Sequence, residues 1–572
     1  MEDTWRALLN SRFGRWILGI KRLTFRLFAW LWTREGPTNK VHPPQRPGLH
    51  GLNTDVFSEL FSLLNGRDRQ TLSFASRQLR SLFMPALFHR IEWAPLLKHE
   101  LPPSSLWPYI RTFVVLGDVF PRGSDNRVEY QYTQEVQGRI ASQLQTLASM
   151  INLDQVQLHE IPFGPWPQLV SVIASNPSVK RLVLVSPPCK NPSVFPLSTA
   201  SRLTHVSYNI HRPLMPHHFV YHEPTCRYPA DLVVSEARLA QAWLNPQTLE
   251  NLSMPGEFVL EALDITVRWE AMRELHLEGV FPSNSKGTEA MLDVLRAMPH
   301  LRVARLKLEQ SKGDSECREY VTQDALSKFA HNECLLPDLV HFEAPISADE
   351  NILSVLPPTL ETLLLIAYPF FRSMYFDRLI LPASTLIRIL SHAEFPTLRS
   401  LEISYSTKAD GELSAEEQLL QIIPQKFPLL KHLMLRRDSK RDGPDDTRLA
   451  DEWDPTRPFG TLLSQLFHLE TFSFDADIPG TREMDVFFAS RSLVNFTASQ
   501  AYVDILVPRL AEQRARPSML RTISVYMFTS GPTLHYPWGP WLIWDIVPVR
   551  LGGELEYQVR YRKAPSISAY RY

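Results

Sequence analysis

The segment HHFVYHEPTC gathers His217, His218, His222 and Cys226. Spaced four apart, His218, His222 and Cys226 would line one face of a helix, and imidazole and thiolate are donors that suit zinc. Pro224 stands inside the run and interrupts such a helix, and no second ligand pair lies near. The segment is therefore read as a loop between structural repeats, with no metal site. Phosphate cradles of the forms G-x-x-x-x-G-K-[ST] and G-x-G-x-x-G do not occur, nor does the G-x-S-x-G nucleophile turn. The reading expects no catalytic residue and no cofactor. Asn251-Leu252-Ser253 and Asn495-Phe496-Thr497 match the glycosylation sequon, but both fall in segments expected to be strands, and no secretory signal precedes them.

The 572 residues exceed what one hydrophobic core holds, and suit either a continuous repeat or several domains. Lys and Arg number 60 against 61 Asp and Glu, a net charge of -1 that offers no basic field for nucleic acid. Hydrophobic residues make up 44% and charged ones 21%, the balance of a folded chain. Cys189, Cys226, Cys317 and Cys334 form no C-x-x-C pair, which argues against a disulfide framework and fits a reducing compartment, cytoplasmic or nuclear. The 46 prolines against 22 glycines mark turns built on proline.

Residues 1–35 place Trp5, Leu8, Leu9, Phe13, Trp16, Ile17, Ile20, Leu23, Leu27, Phe28 and Leu31 at helical spacing. Arg12, Arg15, Arg22 and Arg26 flank this stripe on one side, Arg6 and Lys21 on the other. Such a helix docks on the rest of the protein, lies on an anionic membrane surface as a peripheral contact, or serves as an organelle-targeting presequence. Its uncharged runs are too short to span a bilayer, and it lacks the order of a secretory signal. Residues 36–50, with Pro37, Pro43, Pro44 and Pro47, read as a linker.

Residues 51–93 read as a small helical module. Asn53 and Thr54 are cap candidates for a helix with Val56, Phe57, Leu60, Phe61, Leu63 and Leu64 on its apolar face. Asn65-Gly66 is expected to end it, Asp68 to cap a second helix carrying Leu72, Phe74 and Ala75, and a third to start near Ser76. Helices so short and apolar must be covered by another surface. The segment resembles the F-box, whose pattern opens Leu-Pro-x-Glu-Ile/Leu and, after spaced aliphatics and an Asp-Leu turn, closes on Val-Ser/Cys-Lys/Arg-x-aromatic/Leu-Arg. Leu52, Asp55, Val56, Phe57, Leu60, Asp68, Ala75, Ser76, Arg77, Leu79 and Arg80 stand at the matching places; Asn53 replaces the family's proline and Arg69 the leucine after the turn aspartate. The phrase SLFMPALFHRIEW is similar to fungal members that continue into leucine-rich repeats. The resemblance implies a substrate receptor of an SCF-type ubiquitin ligase: the module would bind a Skp-type adaptor and through it a cullin, while the repeats hold a target protein. Leu52, Val56, Phe57, Leu60, Phe61, Leu64 and Leu72 are the expected adaptor contacts. The alternatives are an interaction scaffold without ligase activity, held on a membrane by the first helix, and, more remotely, an α/β enzyme.

Residues 105–530 repeat the template apolar-x-x-apolar-x-apolar. Copies start at Ile110, Leu153, Val179, Leu203, Leu249, Met272, Val303, Leu339, Leu360, Leu398, Leu430, Leu469, Leu493 and Leu520. The mean spacing is about 32 residues, within the range of one supersecondary unit per repeat. This is the leucine-rich-repeat pattern: a turn residue and two strand residues point into one interior, and each strand adds to its neighbour in parallel. EAMLDVLRAMP, ASTLIRILSHAEFP and SAEEQLLQIIPQKFP are helix-periodic and lead into the next strand. The fold class is thus α/β, a right-handed solenoid of parallel strands with helical returns behind a three-helix module. Its concave face binds, with His276, Lys307, Glu402, Met434 and Ser473 as candidates. The mixed-charge run RRDSKRDGPDDTRLADEWDPTRP reads as a solvated insertion. The aromatic tail 531–572 leaves the repeat, and its alternating LEYQVRY reads as a strand that caps the solenoid end.

Overall fold

The computed structural model describes most of residues 64–562; outside it lie 1–63, 118–141, 160–172, 187–201, 211–229, 283–289, 312–318, 328–333, 367–375, 439–453, 476–502, 527–540, 563–572 and some shorter stretches. The first helix (1–35), the linker (36–50), the His/Cys segment 217–226, most of the charged insertion and the repeat copy at Leu493 fall outside the described residues. The chain divides into two units, Met1–Ala86 and Leu87–Tyr572.

In the first unit, helix α1 covers Gly66–Ala75, and helix α2, Arg77–Phe88, starts there and runs past its end. The preceding helix lies outside the described residues; Gly66 opens α1, so Asp68, expected as the cap of this helix, sits in its first turn. A carboxylate there still opposes the positive end of the helix dipole.

The second unit is a ladder of strands. In chain order they are β1 Arg90–Trp93, β2 Thr112–Leu116, β3 Gln155–His159, β4 Arg181–Ser186 and β5 His205–Ile210. Helix α3, Ala230–Gln241, precedes β6 Asn251–Pro255, and α4, Gly256–Ala262, precedes β7 Glu274–Val280. Helix α5, Ala290–Arg296, leads to β8 Val303–Ser311, and α6, Gln323–Ser327, to β9 His341–Glu343 and β10 Thr362–Leu365. The short β11, Phe376–Asp377, lies antiparallel on the end of β8, while β12, Leu381–Pro382, pairs in parallel with β13. Helix α7, Ala383–Ser391, precedes β13 Ser400–Ser406; α8, Glu412–Lys426, precedes β14 His432–Asp438; α9, Thr456–Gln465, precedes β15 Thr471–Asp475 and β16 Thr522–Tyr526. The three helical returns expected from periodicity are α5, α7 and α8. Strands β17, Trp541–Leu551, and β18, Glu554–Arg562, are the last elements among the described residues.

Each of β1 to β9 pairs with the next in parallel, and β10 pairs with β13, β13 with β14, β14 with β15 and β15 with β16. The registers align the second template position into one apolar row: Phe113, Val156, Leu182, Val206, Leu252, Leu275, Ala304, Phe342, Leu363, Leu401, Leu433, Phe472 and Ile523. All are buried and belong to one continuous core. The turn residues Ile110, Leu153, Leu203, Leu249, Met272, Leu339, Leu360, Leu398 and Leu430 are buried beneath them. One copy needs correction. The template begins not at Val303 but at the buried Leu301, with Ala304 and Leu306 in the strand positions. Val303 pairs with Glu274 on the opposite face. The short Ala304 side chain disguised the frame. This is an α/β leucine-rich-repeat solenoid.

Buried polar struts tie helices to strands. The Tyr208 hydroxyl in β5 donates to Glu236 of α3, and the Tyr405 hydroxyl in β13 donates to Glu416 Oε1 of α8 at 2.8 Å. Arg437 Nε of β14 reaches the same oxygen at 2.9 Å. These side chains are nearly inaccessible, 5% exposed for Arg437 and 3% for Glu416, so the ion pair holds only because its hydrogen bonds are made. Where α4 starts against the sheet, Gly256 allows the approach: a Cβ there would overlap a Leu308 methyl and stand 2.9 Å from the Val280 carbonyl oxygen.

The end of the ladder departs from the repeat. Strand β17 pairs antiparallel with β16, and β18 antiparallel with β17, continuing the sheet with Leu542, Trp544 and Ile546 buried. Pro548 is tolerated because the β16 pairing ends at Asp545 and leaves that stretch of β17 without a ladder partner on that side among the described residues. No helix among the described residues is long and apolar enough to cross a membrane.

Candidate functional site: the polar face of the repeat sheet

Because side chains alternate along a strand, the residues between the two core positions form a second row on the opposite, concave face. The registers set this row as Ser253, His276, Arg305, Glu343, Leu364, Glu402, Met434, Ser473 and Ser524 from β6 to β16. Four of the five sequence candidates, His276, Glu402, Met434 and Ser473, stand in it. Lys307 lies on the same face one step further along β8, opposite Glu278.

The charged centre of the row is Glu343, whose side chain is 10% exposed. Arg305 Nε lies 3.6 Å from Oε2, Lys307 Nζ 3.9 Å from Oε1, and His341 Nε2 3.7 Å from Oε2. Arg305 Nε also donates to His341 Nε2 at 3.4 Å. Two strands beyond, Arg436 Nε stands 3.2 Å from Glu402 Oε1, with the two side chains 20% and 14% exposed. Burial lifts the Glu402 carboxyl above its ordinary range, Arg436 opposing the rise and Glu343 adding to it. Towards β6, Asn251 Nδ2 donates to Glu274 Oε2 at 2.6 Å, and His276 Nε2 is 3.5 Å from that oxygen. Burial, with the Arg305 charge beside it, holds the His276 imidazole below its usual value, so the ring is neutral around neutral pH.

The adjoining row is polar except for Val303: Asn251, Glu274, Val303, His341, Thr362, Ser400, His432, Thr471 and Thr522. His432 Nδ1 and Thr471 Oγ1 hydrogen-bond across strands at 2.8 Å. The floor is therefore a patterned surface in which cations on β8 and β14 flank carboxylates on β9 and β13, neighbouring strands lying about 4.8 Å apart. Such a surface orients a ligand by exchanging its internal ion pairs for external ones, an acidic group meeting Arg305 and Lys307 and a basic group meeting Glu343 or Glu402.

Beside the sheet, the segments 319–322 and 349–352 form an open groove of about 490 Å³ lined by Glu319, Thr322, Gln323, Asp324, Asp349, Asn351 and Arg388. Its wall is built by Glu350. Oε2 of Glu350 accepts Tyr320 N–H at 2.7 Å, and Oε1 accepts Val321 at 3.0 Å, Asn351 at 3.1 Å and Ile352 at 3.0 Å. Burial pushes this carboxyl up to about 7 although the Tyr320, Val321 and Ile352 amides pull it down. Arg388 Nη2 donates to Ala348 O at 2.6 Å. Among the described residues no cluster of His, Cys, Asp and Glu could hold a metal ion.

Of the expected adaptor contacts, Leu52, Val56, Phe57, Leu60 and Phe61 lie outside the described residues. Leu64 is half-buried just before α1, where its carbonyl accepts Arg69 Nε at 2.9 Å. Leu72 is on α1. Arg69 thus secures the turn that leads into α1. Sequence reasoning placed Phe74 on this helix but not among the contacts; it is 68% exposed, with the Arg80 guanidinium 5.8 Å from its ring centre, and Leu82 on α2 is 38% exposed. The signal was its position two residues from Leu72, which turns it far from that residue on a helix. Arg305 and Glu343 were also missed; the misplaced Val303 frame hid the first.

No protein-family model matches this chain, and no curated protein matches it. Among solved structures it is similar to the complex of Rad7 and Elc1 in yeast, at 14% identity over 82% of this chain and 94% of that one, with a TM-score of 0.34. It is also similar to TLR13 in its complex with ssRNA13, at 11% identity over 64% and 49% of the two chains and a TM-score of 0.25. The leucine-rich-repeat-containing protein LegL7 from Legionella pneumophila is 14% identical over 68% of this chain and 91% of that chain, with a TM-score of 0.22.

Proposed function

We propose that this chain is the substrate-recognition subunit of an SCF-type ubiquitin ligase, with residues 51–93 binding a Skp-type adaptor and the polar face of the repeats holding a target protein. The observation that carries this reading is the run of F-box positions from Leu52 to Arg80 placed directly ahead of a leucine-rich-repeat ladder. In support, α1 and α2 fall where that pattern has its second and third helices, and Phe74 and Leu82 keep apolar surface exposed on them. A helical module of this size buries such a face against a partner. The target would be held by ion-pair exchange on the Arg305–Glu343–Glu402 floor. The chain itself then has no catalytic residue, ubiquitin transfer being done by enzymes recruited through the cullin.

The test is a pull-down of recombinant Skp-type adaptor and cullin by the full chain, beside a Val56→Ala/Leu60→Ala variant whose circular dichroism matches the parent. Adaptor capture by the parent and its loss in the variant are expected. No capture by the folded parent overturns the proposal and leaves a non-catalytic repeat scaffold, for which flotation of the full chain and of a chain lacking residues 1–35 on anionic vesicles would measure membrane attachment.

A further inference from the structure

Strand β18 is the outer strand of the ladder: among the described residues its register is with β17 alone, and β2 pairs with β1 and β3. It runs for nine residues, ELEYQVRYR. One of its long edges carries main-chain N–H and C=O groups facing away from β17, which is a template for another strand. Proteins commonly guard such edges with charge, and β18 carries charge at alternate positions: Glu554 and Glu556 in its first half, Arg560 and Arg562 in its second, with Gln558 between. That order repels a parallel copy of itself, because every like charge would meet its twin. It does the opposite for an antiparallel copy.

We propose that β18 pairs antiparallel with β18 of a second copy of this chain, about a two-fold axis at Gln558. In that register Glu554 opposes Arg562 and Glu556 opposes Arg560, in both directions across the axis. Sliding two residues either way breaks half of these oppositions, so charge fixes the register as well as the direction. The other face agrees. There Tyr557 opposes Val559 and Leu555 opposes Tyr561, and cross-strand pairs of aromatic and aliphatic residues stabilise a sheet. Tyr557 and Val559 already pack on the core of their own chain. The charged positions prolong the polar row of the repeat sheet, since Arg560 pairs with Asp545 and Asp545 with Thr522. The second copy would therefore extend the apolar and polar faces together.

The strand is held ready for this. The Arg514 guanidinium lies 3.8 Å from the centre of the Tyr557 ring, pinning the middle of β18. Arg562 is ion-paired within the chain to Asp545 through Nη2, with Nε donating to Oδ2 at 3.1 Å, yet its side chain stays 52% exposed. Arg560 is exposed, with Nη2 donating to Gln558 Oε1 at 3.0 Å, and is the better lever for a test.

Sedimentation velocity of the full chain would read the mass. A dimer is expected, weakened by salt because Arg560 and Arg562 are exposed. Arg560→Glu sets four carboxylates near the axis, and Glu556→Arg sets four cations there; each variant alone should sediment as a monomer. An equimolar mixture of the two restores every opposition and should recover the doubled mass, which also shows that neither variant is misfolded. A parent that stays monomeric throughout, a parent dimer that R560E leaves intact, or a mixture that stays monomeric would overturn the proposal.

Discussion

Glu350 offers the sharpest physical test because one side chain holds two chain segments through four amides. Its carboxyl is 5% exposed as a residue, and its folded value of about 7 stands above the ordinary 4.5. A carboxyl raised on folding binds its proton more tightly in the folded state, so its contribution is fully present below about pH 4.5 and is lost as pH rises through about 7. At about 1.4 kcal/mol per unit, the difference amounts to about 3 kcal/mol across that window. In a repeat protein this appears as local opening, since each unit depends mainly on its neighbours. Hydrogen exchange of the Tyr320, Val321 and Ile352 amides, corrected for the intrinsic pH dependence, should therefore show protection falling by roughly a hundredfold between pH 5 and pH 8. Glu350→Gln keeps a carbonyl acceptor and cannot ionise, so its protection should be flat over the same range. Equal slopes in parent and variant would refute the reasoning, as would protection that rises with pH, which would mean that the amides outweigh burial.

Removing the cation of the buried strut, Arg437→Met, strands the Glu416 carboxylate in the core and should cost about 3–5 kcal/mol in urea unfolding, whereas Tyr405→Phe/Glu416→Leu/Arg437→Met should recover most of that loss. Gly256→Ala should destabilise by about 1–3 kcal/mol, read in thermal melts, because the new methyl meets the Val280 carbonyl as well as a movable Leu308 side chain. Arg436→Ala leaves Glu402 without its cation in a pocket that already resists ionisation. Its carboxyl should titrate still higher, by at least about one unit in carbon-13 NMR of labelled glutamate.

The solenoid was legible because its signal is periodic and redundant. A turn leucine and two alternating strand residues recur often enough that one misread copy, at Val303, leaves the ladder intact. That misreading shows the limit: Ala304 fills a core position with so little side chain that hydropathy favours its neighbours, and the frame slides two residues. Because the period of a strand is two, the slide kept Lys307 on the correct face while hiding Arg305. Glu343 was illegible for another reason. Its strand is only His341–Glu343, and what makes the residue central is its contacts with Arg305 and Lys307 on β8. The Tyr405–Glu416–Arg437 strut likewise joins two strands and a helix, so no window of sequence contains it. Phe74 was visible as an apolar residue, but its exposure depends on how α1 and α2 settle, which spacing alone does not decide.

Under the proposed function, the arrangement of charge on the polar face sets what kind of recognition it would perform. A uniformly basic or acidic floor would gather ligands by long-range attraction and would lose them steeply with salt. Here Arg305, Lys307 and Arg436 are each met by Glu343 or Glu402 within 4 Å, so the far field largely cancels and little steering is gained. What remains is pattern. A ligand must bring an acidic group to β8 and a basic group to β9 or β13, at separations set by the strand spacing, before the internal pairs can be given up without leaving a half-buried charge unpaired. A wrong ligand therefore meets a penalty rather than a weaker attraction. Discrimination of this kind suits a receptor that has to ignore most of the proteins it encounters. It also predicts where binding is lost: Glu343→Gln should weaken a cognate target more than any rim substitution does, through a faster off-rate in surface plasmon resonance, because Arg305 and Lys307 then lose their shared acceptor at once.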